Sequence, residues 1–379
     1  MPGSVLGSRV ARVLMLILLS AAGLPAQSAP AGRIFPGKTW ERWEKPELGG
    51  YSSLRLEALR GWVKSLDTSA LLVVSRGRIV FEHGDLDHLS YLASVRKSVL
   101  AILYGKYVAQ GTIRLDKTLK ELEITDEGGL LPQEEQATVE HLLTARSGVY
   151  HPASNAGDDT AGAPPRGSQQ PGRYFLYNNW DFNAAGAVFE QLTGREIYDA
   201  LETDLARPIG MEDFDRSKQK KTGDPKRSKH LAYHMWLSTR DMARVGLLMM
   251  RGGDWNGQQV VPADWVRRIS SLVTPLHEMN PPYQRSLSAP GRWGYGYLWW
   301  VWDAPNSWPG PYSGTYTARG AGGQFITVFP NVEVVVAHKT DTSEPSPHGP
   351  AGRRRSVTGS QYDAILSMLI GSYCGSNCP

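Results

Sequence analysis

The chain has 379 residues, of which 41% are hydrophobic and 21% charged, and its formal net charge is +4. This length and composition are typical of a globular protein with one large domain or two interleaved subdomains. The small net charge argues against a nucleic-acid or membrane-surface partner, and we interpret the basic run Arg353–Arg355 as a solvated loop.

The N-terminus has the pattern of a signal peptide. Arg9 and Arg12 precede an apolar run from Val13 to Leu24, and small residues follow it up to Ala29. The run is short for a bilayer span, and an uncleaved membrane anchor is the alternative interpretation. We therefore expect cleavage of residues 1–29, a periplasmic or secreted mature chain, and no stable membrane insertion.

The rest of the chain is predicted to form one large domain. A surface lead-in over residues 30–53 precedes a domain over 54–372, and a short tail covers 373–379. Apolar periodicity and turn residues predict these elements in chain order: helix Leu54–Leu66, strands Ala70–Ser75 and Ile79–Glu82, a helix from Ser94 to Ala109, helices Val139–Thr144, Trp180–Thr193 and Thr239–Arg251, strands Tyr295–Val301, Tyr312–Arg319, Gln324–Phe329 and Val332–Ala337, and helix Val357–Leu369.

Strands at both ends of the chain with helices between them indicate an α/β (α+β) fold. We expect one antiparallel sheet built from both chain ends and flanked by helices, with a helical subdomain inserted at about 115–269. Segments Pro152–Gly172 and Lys218–Lys229 are predicted loops. Cys374 and Cys378 are the two cysteines, and a small terminal disulfide is expected in an exported protein.

The helix at Ser94 begins with Ser94-Val95-Arg96-Lys97. A serine and a lysine three residues apart lie on one helical face. The partial positive charge at a helix N-terminus disfavours the ammonium form of Lys97 and favours an amine that accepts the Ser94 proton. Ser94 is therefore the candidate nucleophile and Lys97 its candidate base. The run Ser217–Lys220 has the same spacing, so a surface helix turn is the alternative for the pattern alone.

A second motif is Tyr177-Asn178-Asn179, just before the helix Trp180–Thr193. A tyrosine hydroxyl held near a lysine ionises more easily and can relay a proton to a leaving group. The Asn179 amide can hold a substrate carbonyl and the lysine. The alternative is a loop tyrosine followed by an asparagine N-cap.

A third motif, Gly320-Ala321-Gly322-Gly323-Gln324, joins two predicted strands. Glycines such as Gly322 and Gly323 let a backbone approach a ligand closely, and backbone N–H groups there can stabilise an oxyanion together with that of Ser94. A β-bulge or hairpin turn is the alternative.

In this order, the three motifs resemble those of the penicillin-recognising serine hydrolases: class C β-lactamases, D-Ala-D-Ala carboxypeptidases and related esterases. The resemblance covers about Leu54 to Leu369 and extends to His141–Gly148, Pro208–Met211 and Ser238–Arg244. It implies a β-lactamase-like fold and a covalent acyl-enzyme, with no cofactor and no metal.

The third motif departs from that family, because Ala321 stands where many members have lysine or histidine. The family's lysine helps to hold the substrate carboxylate, and Arg319 can supply a positive charge only if its strand is regular. The ending Gly-Gly-Gln looks more like the esterase and 6-aminohexanoate-dimer hydrolase branch. By that likeness, Gln324 supplies the second oxyanion N–H.

The sequence therefore predicts an exported serine hydrolase that cleaves an ester or amide bond of a small or peptide-like substrate through an acyl-enzyme on Ser94. Tyr150, beside the long loop, is a further candidate for the pocket. One alternative is a D-Ala-D-Ala carboxypeptidase or β-lactamase. Another is a non-catalytic binder of a cell-wall fragment or protein that uses the same pocket. Nothing in the sequence indicates an oligomeric state.

Overall fold

The computed structural model describes residues 1, 3, 32–280, 292–303, 310–375 and 378. The predicted signal segment, with Arg9, Arg12 and the apolar run after them, lies outside the described residues. Within the described ranges, no helix combines the length and the apolar character needed to cross a bilayer.

The centre of the described structure is an antiparallel sheet. The strands, in chain order, are β1 Ala70–Ser75, β2 Arg78–Gly84, β3 Ser90–Tyr91, β4 Lys220–Thr222, β5 Ala232–His234, β6 Trp236–Leu237, β7 Asp254–Trp255, β8 Gln258–Gln259, β9 Trp293–Tyr295, β10 Trp300–Trp302, β11 Tyr316–Gly320, β12 Gln324–Phe329 and β13 Val334–Lys339. Seven of them form the large sheet in the order β2-β1-β13-β12-β11-β10-β9. Strand β1 pairs with β13, so both ends of the chain meet in this sheet, as the sequence predicted.

Helices cover both faces of the large sheet. In chain order they are α1 Ser53–Lys64, α2 Val95–Ala109, α3 Val139–Leu143, α4 Asn179–Thr193, α5 Ile197–Ala200, α6 Thr239–Met250, α7 Ala263–Ile269 and α8 Gly359–Ser372. Helix α1 packs against α8, and α6 lies across β12 and β13. The predicted β-lactamase-like architecture of an antiparallel sheet flanked by helices is therefore confirmed.

Two apolar cores lie on the two faces of this sheet. On β1, Leu72 and Val74 enter the core that includes α2, α4 and α6, whereas Leu71 and Val73 enter the core that includes α1 and α8. All residues of β1 are buried, because both of its faces are covered. This explains why the central strands appear in the sequence as continuous hydrophobic runs rather than as an alternating pattern.

The predicted strand Tyr295–Val301 is wrong, because the structure divides it into β9 and β10, which pair as a hairpin. Gly296 turns the chain between them, and its N–H donates to the Trp299 carbonyl at 2.8 Å. A Cβ on Gly296 would lie 2.5 Å from the Ser271 carbonyl oxygen, so glycine is required there. The aromatic residues of the turn have high strand propensity, which made the segment appear continuous.

The lead-in and the tail are joined to the domain, and to each other. Tyr51 is fully buried, so the prediction of a surface lead-in is wrong at that residue. The Ser52 N–H donates to the Ser372 carbonyl at 2.9 Å, and the Cys374 N–H to the Gly50 carbonyl at 2.9 Å. The expected terminal disulfide is present between Cys374 and Cys378.

Candidate active site

Ser94 lies at the N-terminal end of α2, directly after a constrained turn. The preceding residue, Ala93, has a φ of +48°, a conformation that residues other than glycine rarely adopt. The turn is held because the Leu92 N–H donates to the Met235 carbonyl at 2.9 Å and the Val95 N–H donates to the Leu92 carbonyl at 3.2 Å. Such strain persists where the surrounding structure fixes it, most often at functional sites.

Lys97 contacts the hydroxyl of Ser94 and both polar residues of the second motif. Its Nζ lies 3.1 Å from Ser94 Oγ, 2.7 Å from the Tyr177 hydroxyl and 2.7 Å from Asn179 Oδ1. The side chain is buried, and it packs over the rings of Tyr177 and Phe182 at 4.1 Å each. The structure thus brings together four residues that are up to 85 positions apart (179 − 94 = 85).

Burial lowers the pKa of Lys97 well below its usual value, and the positive charge of Arg96 lowers it further. The charges of Asp158 and Asp159 act in the opposite direction. Burial is therefore the main cause of the lowered pKa, rather than the helix N-terminus that the sequence predicted. A neutral amine has two N–H donors and one lone pair, which matches the three contacts of Nζ if the Ser94 hydroxyl donates to it.

Tyr177 precedes α4, and Asn178 caps this helix by accepting the Trp180 N–H at 2.9 Å. The N-cap alternative is therefore correct for Asn178, alongside the contacts of its neighbours. Burial raises the pKa of Tyr177, and a hydrogen bond with Ser94 only partly opposes this effect. The prediction that Tyr177 ionises more easily is wrong, and its phenol stays protonated as a hydrogen-bond donor.

The Asn179 side chain is committed to the protein itself. Its Oδ1 contacts Lys97, its Nδ2 donates to the Ala156 carbonyl at 2.9 Å, and its backbone N–H donates to Asp158 Oδ2 at 3.0 Å. The amide is buried and does not line the cavity at Ser94. In this structure the Asn179 side chain orients Lys97, and its contact with a substrate carbonyl stays a prediction.

A cavity of about 400 Å³ opens at Ser94. Of the predicted residues, Ser94, Tyr177 and Gly322 line it, whereas Tyr150, Gly323 and Gln324 do not. The lining residues that the sequence analysis did not assign to the pocket come from three places: the long loop (Gly157, Asp158, Asp159), the sheet (Trp300, Phe325) and the start of α8 (Ser356, Val357, Thr358, Gly359). A larger concavity of about 820 Å³ beneath the lead-in contains none of the motif residues.

The glycine loop approaches Ser94 through Gly320. A Cβ on Gly320 would lie 2.6 Å from the Leu92 carbonyl oxygen and 3.1 Å from the Ser94 nitrogen. Gln324 is fully buried, and its Nε2 donates to the Thr340 carbonyl at 2.6 Å. The Gln324 side chain therefore does not face the cavity, and the role of its backbone N–H as the second oxyanion donor stays a prediction. Ala321 follows Gly320 directly and lines the cavity.

We expect Gly320→Ala to lower kcat/KM for a p-nitrophenyl ester by about a hundredfold, because the methyl group would push β11 away from the Ser94 turn. The matched control is Gly61→Ala, since Gly61 has open space around its Cβ position. Steady-state kinetics and thermal unfolding check both variants. A folded Gly320→Ala protein with activity close to the wild type would contradict this role of the loop.

Arg319 reaches the cavity from the α8 side. Strand β11 pairs with β12 without a register shift, so Arg319 and Gly320 point to opposite faces. The guanidinium lies 3.6 Å from an Asp363 carboxylate oxygen and packs against the rings of Trp293 and Phe325. The cavity thus has the guanidinium of Arg319 on the α8 wall and two acidic residues, Asp158 and Asp159, on the loop wall.

Comparison with known families identifies the chain. The family model described as Beta-lactamase matches residues 59–358, which is most of the chain. The chain therefore belongs to the beta-lactamase family, whose members are serine hydrolases. Within the described ranges, no group of three or more His, Cys, Asp or Glu side chains is placed to hold a metal ion.

Individual relatives are distant. An uncharacterized protein of Alkalihalophilus pseudofirmus is 25% identical over 280 residues, which are 68% of this chain and 75% of that protein. A Bacillus anthracis protein proposed to be a 6-aminohexanoate-dimer hydrolase has a TM-score of 0.61 at 19% identity, covering 89% of this chain and 88% of its own. EstCE1, described as a hydrolase with promiscuous acyltransferase activity, has a TM-score of 0.57 at 16% identity, covering 84% and 98%. These structural similarities establish the shared fold.

Proposed function

We propose that this protein is an exported serine hydrolase that cleaves an ester or amide bond through an acyl-enzyme on Ser94. The observation that carries the proposal is the contact of one buried amine, Lys97 Nζ, with Ser94 Oγ, the Tyr177 hydroxyl and Asn179 Oδ1. A nucleophile within hydrogen-bond reach of a base that a third group orients is the arrangement that activates a hydroxyl. Export rests on the sequence pattern of residues 1–29.

The proposed acylation step moves the Ser94 proton to the leaving group through Lys97 and Tyr177. Lys97 accepts the Ser94 proton while Oγ forms a bond to the substrate carbonyl carbon, and the N–H of Ser94 stabilises the oxyanion together with a backbone N–H of the glycine loop, for which Gln324 is the candidate. Tyr177 donates its proton to the leaving oxygen or nitrogen as that bond breaks, and takes the proton that Lys97 holds. Water then attacks the acyl carbonyl carbon, and protons move in the opposite direction, from water through Tyr177 and Lys97 to Ser94 Oγ. The bond to Oγ breaks, and the acyl group leaves as an acid.

The similarity to a proposed 6-aminohexanoate-dimer hydrolase and to EstCE1 supports an amide or ester of a small molecule as the substrate. A second candidate is a D-Ala-D-Ala carboxypeptidase or β-lactamase. Arg319 favours it, because an arginine in the cavity can bind a substrate carboxylate. A non-catalytic binder is the weaker alternative, since it gives no reason for the contacts of Lys97.

Two covalent probes distinguish these functions. We expect a fluorescent fluorophosphonate to label the protein and a fluorescent penicillin to leave it unlabelled, which is the pattern of an esterase or amidase. Labelling by penicillin would support the carboxypeptidase or β-lactamase alternative. Labelling by neither probe, in protein with a normal unfolding transition, would overturn the hydrolase proposal and favour a binder.

The pH dependence of kcat/KM follows from the state of Lys97. The base is active only when unprotonated, and its pKa lies well below the usual 10.5. Activity should therefore rise with pH and reach its plateau well below pH 10.5. Since burial raises the pKa of Tyr177, no loss from its ionisation is expected below about pH 10. A profile that begins to rise only near pH 10 would show that Lys97 is an ordinary ammonium group.

A further inference from the structure

Two adjacent residues of α2, Arg96 and Lys97, both have buried basic side chains, with 2% and 1% of their surface exposed. Each contacts an asparagine on α4, and these two asparagines are one helical turn apart. Arg96 Nη2 donates to Asn183 Oδ1 at 3.1 Å, just as Lys97 contacts Asn179. In the described part of the chain, neither side chain forms an ion pair with a carboxylate.

The neutral amide of Asn183 accepts one hydrogen bond from Arg96 without cancelling its charge. The Arg96 guanidinium also stacks on the ring of Tyr233 at 4.3 Å, and its Nη1 has no hydrogen-bond partner within the described structure. An arginine stays protonated even when buried, and a buried charge without a counter-charge is costly. A fold that retains one beside the catalytic lysine retains it against a free-energy cost, which calls for a functional reason.

The titratable groups around Arg96 do not neutralise it. The titratable side chains that interact with its charge are those of Tyr91, Tyr177, Tyr198, Tyr233 and His234. Burial keeps all of them uncharged near neutral pH, raising the pKa of Tyr233 to about 12 and lowering that of His234 to about 4. The negative charges near the pair are Asp158 and Asp159, which act on Lys97 from the loop wall and favour its protonation. The charge of Arg96 opposes them.

We propose that Arg96 is a positioning residue whose uncompensated charge keeps Lys97 in the unprotonated form that accepts the Ser94 proton. The inference rests on the proposed function of Lys97 as the base. Removing the charge, or placing a carboxylate against it, should then let Lys97 hold its proton to higher pH. Either change should move the acidic limb of the kcat/KM profile upward and leave the plateau largely intact.

Two variants test the charge in different ways. Arg96→Met removes it, and Asn183→Asp cancels it while keeping the guanidinium. We expect each to shift the acidic limb upward by about one pH unit, which is a roughly tenfold lower kcat/KM below that limb. The matched control is Asn183→Ala. It loses the same Nδ2 donation to Asn155 as Asn183→Asp but adds no charge, so its limb should stay in place.

A second measurement reads Lys97 directly and separates this inference from the proposed function. In a Ser94→Ala background with ¹³C-labelled lysine, NMR titration of Lys97, assigned with Lys97→Arg, should show the same upward shift when Asn183→Asp is added. If the wild-type protein shows no hydrolase activity but the Lys97 titration still shifts, the inference is supported while the proposed function fails. An unshifted Lys97 titration, or an unshifted limb in both Arg96→Met and Asn183→Asp, would overturn the inference while leaving the hydrolase proposal intact. Arg96→Lys, which keeps the charge, should stay near the wild-type limb, and it shows whether Arg96→Met fails only by misfolding.

Discussion

Ser94→Ala is expected to lower kcat/KM for a p-nitrophenyl ester by about a thousandfold or more, while the fold survives. The variant removes the proposed nucleophile, whose Oγ lies 3.1 Å from Lys97 Nζ, so no acyl-enzyme forms. The loss of one oxygen at a partly exposed position should change the free energy of unfolding by less than about 1 kcal/mol. Steady-state kinetics and chemical denaturation measure both effects.

The chain contains its own control for this experiment. Ser217 and Lys220 repeat the Ser-x-x-Lys spacing, but Ser217 lies on a short surface turn, where its hydroxyl donates to Asp215 at 2.6 Å. Ser217→Ala should therefore keep full activity. Equal activity of Ser94→Ala and Ser217→Ala, both folded, would remove Ser94 from the mechanism.

Lys97→Met is the second large effect, and we expect a loss of about a hundredfold to a thousandfold in kcat/KM. Methionine has a similar volume but no basic nitrogen, so the Ser94 proton has no acceptor. The Tyr177 hydroxyl and Asn179 Oδ1 lose a partner, which costs about 1–3 kcal/mol, and the removal of a buried amine offsets part of this. The acidic limb of the pH profile should disappear with the base.

The control for Lys97→Met is Lys220→Met, at the exposed lysine of the repeated spacing. It should leave both the rate and the pH profile unchanged. If Lys97→Met kept most of the activity with the same acidic limb, another group would have to be the base, and the assignment of Lys97 would be wrong.

Local sequence rules predicted the first two motifs well. The periodicity of α2 placed Ser94 at its N-terminal end and Lys97 one turn further on, and the structure has the helix at Val95–Ala109. Tyr177 was found because its motif precedes an equally clear helix, α4. These predictions depend on contacts within one element or on the order of elements, which a sequence pattern records directly.

The errors concern tertiary contacts. The close approach of Gly320 to Ser94 was not predicted, because it depends on how β11 packs against the Ser94 turn. Residues of the α8 start, such as Thr358, reach the cavity because of how α8 packs, and no local pattern marks them. The burial of Arg96 was not predicted, because arginine is rarely fully buried.

The most direct test of the account is acid quenching during turnover of a p-nitrophenyl ester, followed by tryptic mapping. Ser94 lies in the tryptic peptide Ile79–Arg96. We predict that one acyl group per chain is found on that peptide, localised to Ser94 by fragmentation, and absent from Ser94→Ala. Turnover without any acylated peptide, or an acyl group on another residue, would contradict a covalent intermediate at Ser94.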